Sequence, residues 1–154
     1  MMNSEPVKAN EFTLYFARHA EKEAAASNPG LNVQGQLRAQ QLADILEQAG
    51  IQAVLSTDFN RTRETAAPLA ARLRLDTETY PAKDNEGLVR RLLEDKKTVL
   101  VVGHSNTIPE LVRLAGGQAP DLTERDYGDI FQLTYVGDRV ITTRLRIPAY
   151  ETTN

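Results

Sequence analysis

The chain has 154 residues, 41% apolar and 25% charged, with a net charge of −3 and no cysteine. That balance suits one folded domain with its own core, and it excludes disulfides, thiolate metal sites and cysteine catalysis. A negative chain without a basic tract argues against a nucleic-acid partner held by overall attraction, and no apolar run reaches the roughly 18 residues of a membrane span.

Residues 1–11 have no apolar core; they read as a flexible N-terminal segment and not as a signal peptide. The compartment stays open: cytoplasmic, or periplasmic if a signal peptide has been cleaved. Residues 12–150 read as one domain. Phe12 to Ala17 is a short run rich in aromatic and apolar residues that stops abruptly at Arg18, which predicts a buried strand. Val33 to Ala49 carries Leu37, Leu42, Ile45, Leu46 and Ala49 at mostly helical spacing, with Asn32 to cap its start and Gly50 its end. Ile51 to Leu55 predicts another strand. Arg61 to Leu73 predicts a helix that Pro68 should bend or restart.

Asn85 to Glu94 follows Asp84, a natural N-cap, and predicts a third helix. Thr98 to Gly103 repeats the buried-strand pattern. Thr107 to Ala115 predicts a helix that stops at Gly116-Gly117. Ile130 to Val136 and Val140 to Ile147 flank Gly137-Asp138-Arg139 and predict a hairpin, which extends the sheet or forms an edge for a second copy. The order predicts a three-layer α/β/α sandwich on a mixed, mainly parallel sheet.

The only two histidines, His19 and His104, each follow a predicted buried strand. Ligands in open α/β sheets bind outside the carboxyl ends of strands, so two parallel strands would bring both imidazoles to one rim. Arg18 stands beside His19 at that rim. Arg61 sits at a helix start, after the polar turn Ser56 to Asn60. A cation there opposes the helix dipole unless an anion lies between them. Arg63 and Arg72 read as solvated helix residues. Phosphoryl transfer spreads negative charge over equatorial oxygens, which planar guanidinium groups hold two at a time, and a neutral imidazole is a competent nucleophile.

At these residues the chain resembles the histidine phosphatase superfamily, the phosphoglycerate-mutase-like fold. Ala17-Arg18-His19-Ala20-Glu21 is similar to its Arg-His-Gly signature. Leu31-Asn32-Val33-Gln34-Gly35, with Ala39 and Leu42, is similar to its Leu-Thr-x-x-Gly helix entry. Ser56 to Thr65 is similar to its Ser-Pro-x-x-Arg-Ala-x-x-Thr segment, and Val102-Gly103-His104-Ser105 to its Gly-His-Gly element. The resemblance spans residues 12–115 or so. It implies a nucleophile at His19 that becomes phosphohistidine, a phosphate held by Arg18, Arg61 and His104, hydrolysis by water, and no cofactor or metal. It also implies a phosphorylated small molecule or a phosphohistidine protein as partner.

Ala20 stands in place of Gly, Thr57-Asp58 in place of Ser-Pro, and Ser105 in place of the last Gly, where its hydroxyl is a further substrate-binding group. The family's general acid usually lies on an insertion. That stretch is short here and offers Asp84 and Glu86, with Asp84 also the cap of its helix; Glu21 and Asp58 are the other candidates. Glu21 with Lys22 also reads as a surface pair. Two other classes stay open: a non-catalytic module that keeps the phosphate pocket, and a metallohydrolase using His19, His104 and nearby carboxylates, which Arg18 beside the ligands disfavours.

Overall fold

The computed structural model describes residues 11–24 and 26–148, so residues 1–10 of the predicted N-terminal segment lie outside the described residues. In chain order the elements are β1 (Glu11–Arg18), α1 (Val33–Leu46), β2 (Ala53–Ser56), α2 (Asn60–Leu73), β3 (Thr77–Thr79) and α3 (Asn85–Asp95). They continue with β4 (Val99–Gly103), α4 (Ile108–Leu114), β5 (Asp129–Val136) and β6 (Arg139–Arg146). The six strands form one sheet in the order β3-β2-β4-β1-β5-β6. β3, β2, β4 and β1 pair in parallel; β5 and β6 are antiparallel additions.

Alternation along β1 explains the layers. Phe12, Leu14 and Phe16 face one side, where they join Leu88, Val89 and Leu92 of α3 and Leu111 and Val112 of α4. Tyr15 and Ala17 face the other, with Leu42, Ala43 and Leu46 of α1 and Ala66, Leu69 and Ala70 of α2. A parallel strand covered on both faces reads as a continuous apolar run, as β1 and β4 do. The result is the expected three-layer α/β/α sandwich with a mixed sheet.

Local details depart from expectation. The first helix ends at Leu46, and Gly50 serves the following turn at φ +77° instead of capping the helix. Ile45, expected on the apolar face, is 47% exposed. α2 runs unbroken through Pro68, which costs it a backbone donor without ending it. β3 carries no strand signal in the sequence. The hairpin is tighter than expected: Val136 pairs with Arg139, and Gly137 takes φ +62° in a two-residue loop. β5 docks antiparallel on β1 and makes that central strand's second neighbour, so the hairpin extends the sheet.

Candidate active site

Strand register brings the histidines together. Arg18 at the end of β1 lies opposite Gly103 at the end of β4, and the His19 N–H donates to the Gly103 carbonyl at 2.9 Å. The two imidazoles that follow sit 5.7 Å apart, edge to face at 64°. α2 begins after the turn at the end of β2, which aims Arg61 at the same rim. Its guanidinium lies 4.7 Å over the Phe59 ring, and Phe59 packs edge-on against His104 at 5.2 Å. Arg61 makes no hydrogen bond or ion pair among the described residues.

His19 is 4% exposed, and its Nδ1 lies 2.7 Å from the carbonyl of Ala20. A carbonyl only accepts, so Nδ1 carries the hydrogen and Nε2 keeps its lone pair. Burial pushes the pKa of His19 down to about 3, and the charges of Arg18, His104 and Arg61 add to the effect. The same causes, burial first and then Arg61 and Arg18, lower His104 to about 4. Both rings are therefore neutral at pH 7 in the free protein, and His19 presents a bare nitrogen next to two guanidinium groups.

Arg18 is 8% exposed and is gripped by the loop before β5. Its Nη1 donates to the carbonyls of Thr123, Glu124 and Asp126 at 3.2, 3.1 and 2.8 Å. Its Nη2 reaches the Tyr127 hydroxyl at 3.3 Å, and the Tyr127 ring stacks 4.0 Å from the guanidinium carbon. Desolvation lowers the arginine's pKa, opposed by Tyr127 and by Glu124, Asp126 and Glu21. The Nε–H is buried without a partner. An orphaned buried donor costs on the order of 1–3 kcal/mol, a cost that an incoming acceptor removes. With the free Arg61, it fits a cradle for an anion.

The remaining predicted residues separate. Asp84 caps α3, accepting the Gly87 N–H at 3.0 Å, and is exposed. With Glu86 it lines a surface groove that Thr107 also borders, and Thr107 in turn accepts the His104 N–H at 3.1 Å. Ser105 lies half-buried in the turn after His104. Asp58 points outward to Arg63 at 2.7 Å. Glu21 does not pair with Lys22; it holds Arg38 at two points, 3.1 and 2.6 Å. Arg72 is less solvated than expected, since it bridges α2 to α1 through Asp44 and Gln40. Among the described residues no group of three or more His, Asp or Glu is arranged to hold a metal ion.

Several contributors are given no role by the sequence. Thr57 contacts His104 Nε2 at 2.9 Å, and Thr65 accepts the Ala20 N–H at 2.9 Å. Both lie inside the segment from Ser56 to Thr65, which is where a search for them would begin. Tyr127 and the carbonyls beside it sit in a loop without a motif.

A model of the histidine phosphatase superfamily, branch 1, matches residues 14–83. That span holds Arg18, His19, Gly35 and Arg61; His104 lies beyond it. Protein histidine phosphatase SixA, solved with tungstate, is similar to this chain at a TM-score of 0.67 and 19% identity, over 88% of this chain and 97% of that one. Mycobacterial glucosyl-3-phosphoglycerate phosphatase, solved with inorganic phosphate, gives a TM-score of 0.62 and 15% identity, over 84% and 95%. No curated protein sequence matches. At such identities these structures speak for the shared fold, and the family match speaks for the segment that carries the first three motifs. With its Arg18-His19 pair, Gly35 helix entry and Arg61 inside the matched span, and His104 brought beside them by strand register, the chain is similar to the histidine phosphatase superfamily over residues 14–83 and shares its fold beyond them.

Proposed function

We propose that this phosphatase works without a metal, through a covalent phosphohistidine on His19. Nε2 attacks phosphorus as the bond to the leaving group breaks, and the leaving atom departs with the electron pair and takes up a proton. Water then attacks the phosphoramidate, giving inorganic phosphate and returning the lone pair to Nε2. Arg18 through Nε, Arg61 and His104 hold the equatorial oxygens where negative charge collects. The observation that carries this reading is the His19 Nδ1 contact with the Ala20 carbonyl, 2.7 Å long, which leaves Nε2 unprotonated in a buried, cationic setting. Ser105, half-buried in the turn after His104, is a further candidate donor to the phosphate.

The carboxylates bear on the substrate. Glu21 is committed to Arg38, Asp58 to Arg63, and Asp84 to the cap of α3. A substrate whose leaving group needs little help from an acid suits that arrangement: a phosphohistidine side chain, or a phosphomonoester of a good leaving group. Asp84 is the candidate acid for a poorer one, from the groove it shares with Thr107.

The same commitments favour a second reading, a phosphate-binding module without turnover. Incubation with p-nitrophenyl phosphate in excess chelator separates the two. On the phosphatase reading, nitrophenol is released, and quenched samples carry an acid-labile phosphoryl group on the peptide containing His19. His19→Ala abolishes both. Phosphate binding without release or adduct leaves only the module.

A further inference from the structure

Thr57 and Thr62 are 1% and 0% exposed, so their hydroxyl protons have protein partners and not solvent. Thr57 Oγ1 lies 2.9 Å from Thr62 Oγ1 and 2.9 Å from His104 Nε2. Thr62 Oγ1 in turn lies 3.0 Å from the carbonyl of Thr57 and 3.0 Å from that of Phe59. A hydroxyl has one proton to give, and a carbonyl can only accept. The Thr62 proton therefore goes to a carbonyl, and the Thr57 proton goes to the Thr62 oxygen. Toward His104, the Thr57 oxygen has only a lone pair left. The reverse arrangement, with Thr57 donating to the ring, leaves the 2.9 Å contact between the two hydroxyl oxygens without a proton unless Thr62 turns its own away from both carbonyls.

We propose that Thr57 is a positioning residue that holds His104 with its hydrogen on Nε2, leaving Nδ1 as the nitrogen open to ligand. The two histidines are then locked in opposite senses. His19 has its hydrogen on Nδ1, tied to a carbonyl, and offers Nε2 as a nucleophile. His104 has its hydrogen on Nε2, tied to a hydroxyl chain that ends on backbone, and offers Nδ1. A partner that fixes one ring nitrogen decides what the other can do.

The functional consequence rests on the phosphatase reading. When a phosphoryl dianion enters, Nδ1 takes up one proton, from solvent or from a singly protonated phosphate. The imidazolium then donates twice, from Nε2 to Thr57 and from Nδ1 to a phosphate oxygen. The charged and titratable groups facing His104 are Arg18 at the end of β1, His19 just after it and Arg61 from α2, all cationic or neutral. They resist that second proton, and the bound anion supplies the opposing charge. Because Thr57 can only accept from the ring, it favours the doubly protonated form over a ring that would need a donor.

Imidazole nitrogen NMR on the phosphate-free protein reads the arrangement directly, since the chain has only two histidines. The expected spectrum at pH 7 contains one ring of each neutral tautomer, and His104→Asn removes the Nε2–H set. Addition of inorganic phosphate converts that ring to imidazolium. Thr57→Val moves His104 away from the Nε2–H tautomer and weakens phosphate binding by about tenfold or more, raising KM for p-nitrophenyl phosphate in parallel. Thr57→Ser restores both. Two Nδ1–H rings, or a Thr57→Val variant with wild-type tautomers and affinity, overturns the proposal. Wild-type protein that binds phosphate with the expected tautomers yet never releases nitrophenol removes the phosphatase reading and keeps this assignment.

Discussion

The Thr65 hydroxyl accepts the backbone N–H of Ala20 at 2.9 Å and donates its own proton to the Arg61 carbonyl at 2.7 Å. One side chain thus ties the loop that carries His19 to the first turn of the helix that carries Arg61. On the proposed phosphatase reading, the two groups that meet around one anion are cross-linked through a buried threonine.

Thr65→Val keeps the shape of the side chain and removes both bonds. The Ala20 N–H is then buried without a partner, a loss of about 1–3 kcal/mol. Urea unfolding should show that loss, and Thr65→Ser should recover most of it. Turnover of p-nitrophenyl phosphate by the folded Thr65→Val protein should fall as well, because the His19 loop loses its anchor to α2. A variant as stable and active as the parent would remove this link from the design.

Arg61 presents the opposite case. Its side chain makes no hydrogen bond or ion pair among the described residues, and it lies beside Phe59 with other positive charge nearby. Arg61→Ala should therefore change unfolding stability by no more than about 1 kcal/mol, the worth of its contact with the Phe59 ring. Calorimetric titration with tungstate or phosphate should show at least about a tenfold loss of affinity, in keeping with a lost charge-assisted pair. Arg61→Lys should recover only part of it, since an ammonium lacks the planar fork. A large loss of stability with unchanged anion affinity would make Arg61 structural.

The parts of this molecule that the sequence made legible are those that short-range pattern controls. β1 and β4 are covered on both faces, so they read as apolar runs, and their register then sets His19 and His104 side by side. β3 was hidden because Thr77, Glu78 and Thr79 form a three-residue edge with two exposed side chains, which leaves no apolar period to find. Arg38 was hidden for a different reason. A helix arginine reads as solvated, yet its partners, Glu21 and the Ile147 carbonyl, lie 17 and 109 residues away. The grip on Arg18 is built from backbone carbonyls, which every residue has. Thr57 and Thr65 fell inside a recognised segment, but their roles depend on which atoms they meet after folding.

Glu21 was a candidate acid, and its pairing with Arg38 predicts a structural phenotype. Arg38 and Glu21 side chains are 9% and 17% exposed, so Glu21→Gln leaves a mostly buried guanidinium without its counter-charge. Breaking such a pair from one side costs about 3 kcal/mol. Thermal unfolding should show a clear loss. At temperatures where the variant is folded, the ratio of its turnover on an alkyl phosphate to that on an aryl phosphate should match the parent's. An acid catalyst would show instead as a selective loss on the alkyl ester, whose leaving oxygen needs the proton.

The depressed histidines predict how stability responds to acid. In the unfolded chain each imidazole takes up a proton as pH falls through about 6.5. In the folded chain His19 and His104 stay neutral down to about 3 and about 4. Between those limits the unfolded state binds more protons, so acid draws the equilibrium toward unfolding. Each histidine contributes a loss on the order of 1 kcal/mol per pH unit over that window, and the contribution is complete above pH 6.5. Melting temperature in phosphate-free buffer should fall steadily from pH 6.5 to pH 4. His104→Asn should flatten that slope by about half, because one of the two protons withheld by the fold is no longer at stake. Inorganic phosphate should flatten it too, since an anion in the cradle lets the folded protein bind a proton that it otherwise refuses. A slope that neither the substitution nor phosphate alters would place the acid sensitivity elsewhere in the chain.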